Sequence, residues 1–301
     1  MTTAAQRLYI SQQALSLQIQ KLEQYYGTAL FERQPKLQLT YAGQQLVESA
    51  TAILRENETL VNLLSDISNN HYGSLRIGIS ALRAIACFPL ILPAFSQRWP
   101  NVSLQLTEDA TPIMIQMLYD GMLDVLVSPL EGRTESSALS NKIESIFLLD
   151  EKNYLVCSDV LLNRYFGNRS TQIKQQAMKG TDLREFSEMP FILNKQSMRL
   201  RKLADACFHD AGFKPKVYIE SNNNDLIISL YSSHLGAFFC RGSRLPQLMT
   251  AFPDCNAFPI KNSGSFLHVP VYLMYRKMRP QPAHAISFMN LLQEAWKKLS
   301  D

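Results

Sequence analysis

The sequence predicts an α/β protein carrying an α-helical head. Three observations predict it. The first residues hold two short helices split by a polar break. Residues 42–70 then run without proline, with apolar side chains alternating every four and three positions. From Gly73 onward, short strands and helices alternate with short loops, the pattern of a parallel α/β sheet. A chain of 301 residues is too long for one ordinary core and divides into two or three domains. Its 46% hydrophobic and 19% charged residues are those of a soluble globular protein.

In the head, a first helix is expected over Thr3–Tyr9. After a break at Ile10-Ser11, Ser11 is an N-cap for a second helix over Gln12–Tyr26, and Gly27 ends it. Leu15, Ile19, Leu22 and Tyr26 form one apolar stripe on that helix. Gln13, Ser16, Leu17, Gln20 and Gln24 point away from it. Glutamine can pair with the adenine edge in a major groove and leucine can touch a thymine methyl. Ser11 and the first-turn N–H groups suit a phosphate. Taken alone, the same face is an ordinary solvated helix surface.

The spacing resembles the N-terminal module of LysR-type transcriptional regulators, roughly AAxxLxxSQxALSxQIxxLExxLGxxLFxRxxxxxxLTxAG. Ala4, Ala5, Leu8, Ser11, Gln12, Ala14, Leu15, Ser16, Gln18, Ile19, Leu22, Glu23, Gly27, Leu30, Phe31, Arg33, Leu39, Thr40, Ala42 and Gly43 fall in register. The resemblance implies a winged helix-turn-helix, with Leu30–Phe31 and Leu39–Thr40 as wing strands and Arg33 and Lys36 beside the DNA backbone or minor groove. The expected DNA contacts are Ser11, Gln12, Gln13, Ser16, Leu17, Gln20, Arg33, Lys36 and Thr40. Two departures weaken the match. Gln13 stands where many members carry proline, and Leu17 where many carry a basic residue. The family also has a further helix ahead of the Ala-Ala pair, where this sequence has Met1-Thr2-Thr3. The expectation is a truncated head, either because the start lies upstream or because the head is incomplete. Four basic and two acidic residues leave residues 1–43 at +2, which is thin for phosphate neutralisation and calls for more than one copy.

In the following helix, Leu46, Ala50, Ile53, Asn57, Leu60, Leu64 and Ile67 form a heptad seam, widened by Val47, Leu54 and Val61. One polar seam residue, Asn57, can fix register and partner number. The alternative is an amphipathic helix packed on its own domain. The position behind a DNA head favours a dimerising linker, with Leu46, Ile53, Asn57, Leu60 and Leu64 as its contacts. The resemblance implies paired linkers that match two half-sites, in a homodimer or homotetramer.

Beyond the linker, Gly73–Ser80 reads as a strand and Ala81–Trp99 as a helix kinked or split by Pro89 and Pro93. Val102–Thr107 is a strand, Pro112–Tyr119 a helix and Leu123–Val127 a buried strand. GSLRIGIS, FPLILPAF, WPNVSLQL and DGMLDVLV together resemble the start of the LysR-type effector domain, which implies a two-lobed, periplasmic-binding-protein-like fold. Asp109 stands where many members have glycine. Ile146–Cys157 reads as the crossing into the second lobe, and Leu161–Thr181 as a polar surface excursion. Strands follow at 191–193, 216–220 and 236–240, and a helix at 197–211. Another helix is expected from an Asp225 cap to Ser233, with a returning strand at 269–275 and a closing helix at 285–299. The expected division is a head over 1–43, a linker over 44–72 and a sensor over 73–301. Its first lobe takes about 73–153 and 268–301, and its second about 154–267.

Ligands of open α/β sheets sit at strand ends, often with an anionic group at a helix N-terminus. The cleft candidates are therefore Ser80, Ala81, Leu82, Asp109 and Thr111 from the first lobe. Asn194, Lys195, Gln196, Asn222 and Arg241 come from the second, with Lys195 or Arg241 pairing a carboxylate. Each could equally be a plain turn or cap residue. Asp109 argues against a simple dianion unless a cation offsets it.

Nothing asks for catalysis: there is no G-x-S-x-G, Walker, G-x-G-x-x-G or H-E-x-x-H sequence, and the five histidines are isolated. Five scattered cysteines lack zinc spacing, so neither metal nor cofactor is expected. Peroxide-sensing members of the family pair a cysteine on the helix holding Cys207 with one nine residues upstream, which here is Met198, so no disulfide switch is expected. The polar start and the lack of a long apolar run predict a cytoplasmic protein with no membrane partner. The resemblance implies a regulator whose DNA binding or activation responds to a small effector, with double-stranded DNA, a second copy and RNA polymerase as partners. Ligand would favour one lobe arrangement and so change the spacing of paired heads and the bend of the DNA. Three rivals remain: a solute-binding protein, which would show a signal peptide; an α/β enzyme, which would show a nucleophile or cofactor motif; and a truncated, ligand-sensing dimer that does not bind DNA by itself.

Overall fold

The computed structural model describes residues 2–32, 36–67, 72–130, 142–262, 264–277 and 280–300. Expected residue Arg33 lies outside them.

The head opens with α1 (Thr2–Arg7). It stops short of the expected Tyr9, because Tyr9 takes a left-handed backbone with φ of 54° that ends the helix. Helix α2 (Gln12–Tyr26) starts where Ser11 Oγ accepts the Ala14 N–H, and it ends at Gly27, whose φ is 64°. The wing is β1 (Phe31–Glu32) antiparallel to β2 (Gln38–Leu39). Both strands lie one residue inside the expected Leu30–Phe31 and Leu39–Thr40. The flanking residues are used otherwise. Leu30 is buried and its N–H goes to the Glu23 carboxylate at 2.8 Å. The Thr40 hydroxyl donates to Ala29 O at 2.7 Å and accepts the Gly43 N–H at 2.9 Å, so Thr40 is the N-cap of the next helix. That helix, α3 (Tyr41–Ile67), is the linker.

The sensor starts with β3 (Gly73–Ile79), α4 (Ala81–Arg98), β4 (Val102–Thr107), α5 (Thr111–Tyr119) and β5 (Val125–Pro129). Strand β3 lies between β4 and β5 and is parallel to both. Helix α4 is one unsplit helix, because Pro89 and Pro93 both face outward, where the carbonyls they leave unpaired meet water. Strand β6 (Ile143–Cys157) runs through both lobes. Its first part, to Lys152, pairs with the returning strand His268–Arg276, which itself pairs with β5. Its second part, from Asn153, pairs with Phe238–Arg241 on one side and Asn256–Pro259 on the other. A closing helix, Ala283–Ser300, packs Phe288, Leu292 and Trp296 against Phe88, Ile91 and Phe95 of α4 to form the first core.

The second lobe departs most from expectation at Leu161–Thr181. Instead of a surface excursion, this stretch forms two helices, Asp159–Phe166 and Ser170–Ala177. Ser158 caps the first, and Leu161, Leu162, Ile173 and Ala177 are buried in the second core. Polar residues outnumber those four, which hides the buried face in the sequence. The helix expected to be capped by Asp225 is capped instead by Asn223, whose Oδ1 accepts the Asp225 and Leu226 N–H groups; it spans Asn224–Ser229. Parallel strands Pro190–Asn194 and Lys216–Ser221 flank helix Arg199–Asp210.

The head depends on one close approach. A Cβ added to Gly43 would lie 2.1 Å from the Leu30 carbonyl oxygen, a backbone atom with no room to move. Gly43→Ala should therefore part α3 from the wing. Operator affinity should fall by roughly tenfold or more, while the sensor melts at its wild-type temperature in differential scanning calorimetry.

Candidate DNA-reading face and effector cleft

Helix α2 buries no residue. Leu15 and Ile19 are half-buried, while Leu22 and Tyr26 are exposed, so the apolar stripe is only partly covered. On the opposite face Gln13, Leu17 and Gln20 are exposed and Ser16 is half-buried. Three expected DNA contacts are engaged within the head. Ser11 Oγ caps α2, Gln12 Oε1 accepts the Thr2 hydroxyl at 3.0 Å, and Thr40 caps α3. Lys36 is exposed at the wing. On α3, Leu46 is half-buried, and Ile53, Asn57, Leu60 and Leu64 are exposed in the single chain.

In the sensor, Ser80 has an N-cap backbone but makes no side-chain cap bond. Instead the Ala81 N–H donates to Glu108 Oε1 at 2.9 Å. The chain's own carboxylate thus fills the helix N-terminus where an effector anion was expected. Asp109 accepts the adjacent Ala110 N–H, and the Thr111 hydroxyl bonds Ser128 at 2.9 Å. Asn194 is buried and donates to Asn224 Oδ1 at 2.8 Å. Lys195, Gln196 and Asn222 are exposed.

The strongest electrostatic feature is a cluster that the sequence did not reveal as a unit. Glu151, on β6, is 1% exposed. Its Oε2 accepts Arg83 of α4 at 2.7 Å and Arg241 at 3.1 Å, and its Oε1 accepts the Ser243 hydroxyl. Arg241 was expected to hold a ligand carboxylate; it holds Glu151. Burial pushes the Glu151 carboxyl up, but Arg83, Arg241 and the Ser243 hydrogen bond outweigh it and hold the group at about 2. Burial lowers the Arg83 guanidinium to about 10, against the opposing pull of Glu151. One sequence signal pointed here: Arg83 shares a four-residue spacing with Cys87, Ile91 and Phe95, all of which are buried. An arginine in such a stripe needs a buried partner.

Beside the cluster lies a small cavity, lined by Leu82 of α4, Leu200, Asn224, Ile227, Ile228, Phe239, Cys240, Arg241 and Arg244. The fold therefore brings Leu82 and Arg241 together. Ser80, Ala81, Asp109, Thr111, Asn194, Lys195, Gln196 and Asn222 do not line this cavity.

Residues 68–297 match the LysR substrate binding domain, and residues 1–44 match the bacterial regulatory helix-turn-helix protein, lysR family. The chain belongs to the LysR family. It is a DNA-binding transcriptional regulator modulated by a small effector. A probable RuBisCO transcriptional regulator of Cyanidioschyzon merolae is 30% identical over 78% of this chain and 74% of its own length. An uncharacterized HTH-type transcriptional regulator of Bacillus subtilis, YcgK, is 27% identical over 100% of this chain and 91% of its own. Full-length CbnR, solved with its target DNA, shares the fold with a TM-score of 0.64 at 22% identity, covering 98% of this chain and 93% of that one. The head match removes the solute-binding reading, and these relatives are transcriptional regulators. Among the described residues no helix of this LysR protein is long and apolar enough to cross a membrane.

The five cysteines are free and buried. Burial raises every thiol, Cys207 and Cys255 to about 11 and Cys87 and Cys240 to about 12, with Cys157 higher still. A neutral thiol is a poor nucleophile, so DTNB at pH 8 should label less than about one thiol in the native protein and all five after unfolding.

Glu151 links stability to pH. Its folded value lies below its ordinary 4.5, so its contribution is complete above that pH and is lost as pH falls toward about 2. Glu151→Gln strands buried guanidinium groups and should cost about 3–5 kcal/mol at pH 7. Urea midpoints at pH 7, 5 and 3 should show wild type and variant converging only below about pH 4.5.

Proposed function

We propose that this LysR protein works as a dimer paired through residues 44–72, with each copy's α2 face of Gln13, Ser16, Leu17 and Gln20 entering a major groove. Residues 73–301 sense the effector between their lobes. The carrying observation is the linker seam: Ile53, Leu60 and Leu64, with Leu54 and Val61 beside them, are each more than half exposed on one chain. A repeating apolar stripe of that length is covered by a second helix of the same kind. Asn57, also exposed in the seam, sets register. Pairing doubles the weak head charge and places two reading helices on two half-sites. Lys36, and Arg33 three residues before it in the sequence, supply phosphate contacts, and RNA polymerase receives the output in the cytoplasm. No residue is assigned a catalytic role. The CbnR complex supports the DNA-bound arrangement.

One observation favours a second reading. The stripe Leu15, Ile19, Leu22 and Tyr26 has no buried member, so the reading helix is weakly anchored. A chain whose head does not hold its shape would dimerise and sense effector without binding DNA by itself.

Fluorescence anisotropy with DNA from upstream of the gene, against scrambled competitor at two salt concentrations, separates the readings. Tight, salt-sensitive binding that resists competitor supports the first. Equal, weak binding to both DNAs supports the second. In the first case Gln13→Ala and Ser16→Ala should each weaken specific binding about 5- to 100-fold and leave sensor melting unchanged. Ile53→Glu with Leu60→Glu should yield monomers in sedimentation and abolish operator binding.

A further inference from the structure

This inference rests on the reading of the interlobe seam as the effector site, and it names the ligand class. We propose that the effector is a singly charged organic anion with a small branched apolar body, a monocarboxylate, bound in the cavity between Leu82 and the Arg241–Arg244 pair. Three observations carry it.

The first is unmet hydrogen bonding. Arg241 and Arg244 are 9% and 8% exposed, and both line the cavity. Arg241 gives one N–H to Glu151, and Arg244 gives one to Asp225 at 2.7 Å. Arg241 Nε and Arg244 Nε and Nη1 are buried without a partner among the described residues. Stranded guanidinium N–H groups are costly, and a carboxylate is the acceptor whose geometry matches them.

The second is charge. Arg83, Arg241 and Arg244 pair with Glu151 and Asp225, which leaves these ion pairs one positive charge in excess, and Arg199 also acts on Arg83. Nearby, Glu108 and Asp109 add negative charge to the first lobe's loop. The seam therefore takes one negative charge and resists two.

The third is shape. Apart from Asn224 and Cys240, the remaining walls are the apolar side chains of Leu200, Ile227, Ile228 and Phe239. The cavity has free room for only about one water, 10 Å³, and Leu82 forms part of its wall. Leu82 belongs to the first-lobe helix, whereas the other lining residues belong to the second lobe. In this arrangement one lobe's isobutyl group lies against the mostly apolar wall of the other lobe. A carboxylate carrying the same isobutyl body would replace Leu82, satisfy the arginines and part the lobes.

The probe is isovalerate, which joins an isobutyl group to a carboxylate. Its controls are neutral isovaleramide and dianionic isopropylmalonate. In calorimetric titration of the full chain, isovalerate should bind, with both controls roughly tenfold weaker. Leu82→Ala removes the protein's own isobutyl group and should tighten isovalerate roughly fivefold, while Arg244→Gln should abolish it. Glu151→Gln raises the positive excess to two and should shift preference toward isopropylmalonate. If that variant does not fold, Asp225→Asn makes the same charge change at a more exposed position. A purely structural role for these residues would not exchange mono- for dianion preference. Equal binding of isovalerate and isovaleramide overturns the proposal, as does no binding of any probe, or unchanged binding in both Leu82→Ala and Arg244→Gln. Operator anisotropy run alongside keeps the two readings apart: intact DNA binding with no isovalerate binding defeats this inference alone, and lost DNA binding defeats the wider one.

Discussion

The buried Glu151 carboxylate is the interaction on which the sensor depends. It sits where β6 changes partners: up to Lys152 the strand belongs to the first half-sheet, and from Asn153 it belongs to the second. Its oxygens collect Arg83 from the first-lobe helix and Arg241 and Ser243 from the second lobe. Burying a carboxylate and two guanidinium groups is expensive, and the gain in attraction only offsets that expense when the geometry is complete. The cluster is thus better understood as a device for specificity than for stability. It makes one lobe arrangement satisfy every charge on Glu151 and makes intermediate arrangements costly. A two-lobed sensor needs that property, because a ligand can choose only between states that are already distinct.

The same logic explains which features the sequence disclosed. The caps at Ser11 and Gly27, the exposed seam of α3 and the βαβαβ order of the first lobe are local patterns, each written within a few neighbouring residues. Pairing distance hides the Glu151 cluster. Its partners lie 68, 90 and 92 residues away along the chain. The four-residue spacing from Arg83 to Cys87, Ile91 and Phe95 hinted that an arginine faces the core. Asp150-Glu151-Lys152 in the crossing strand gave the complementary hint, since alternation sends Glu151 inward while its neighbours face out. The helices over 159–177 were hidden by composition. Four buried side chains suffice to seat two short helices, and the polar majority around them reads as surface. The loop residues lie at strand ends, yet Asp109, Thr111, Asn194 and Arg241 are engaged by other groups of the fold. Glu108 on the Ala81 N–H and Asn224 on Asn194 show the fold using its own side chains where a ligand was expected.

The head shows a different balance. Leu30, Gly43 and Thr40 lock the wing against the linker helix through backbone contacts, whereas α2 is tied to the wing through the Glu23 carboxylate and buries no side chain of its own. Backbone packing therefore joins wing to linker more closely than either is joined to α2. DNA contact and pairing of two heads add what the single head does not supply, so folding of the reading face and recognition draw on the same free energy.

How the sensor reaches the heads follows from where the linker rests. Helix α3 packs beside β3, and Thr59 shares a narrow crevice with Ser74, Asp124, Arg276, Pro282 and His284, all of the first lobe. No second-lobe residue lines that crevice. Within one chain the head consequently rides on the first lobe, while the second lobe hangs from β6, the returning strand and the Glu151 cluster. Rotation of the second lobe alone leaves the head of its own chain in place. It changes the distance between two heads only when that lobe bears on another copy. On the proposed reading the assembly is therefore part of the signalling mechanism, and the seam at Leu82 and Glu151 is the place where an effector would set the angle that the assembly reads.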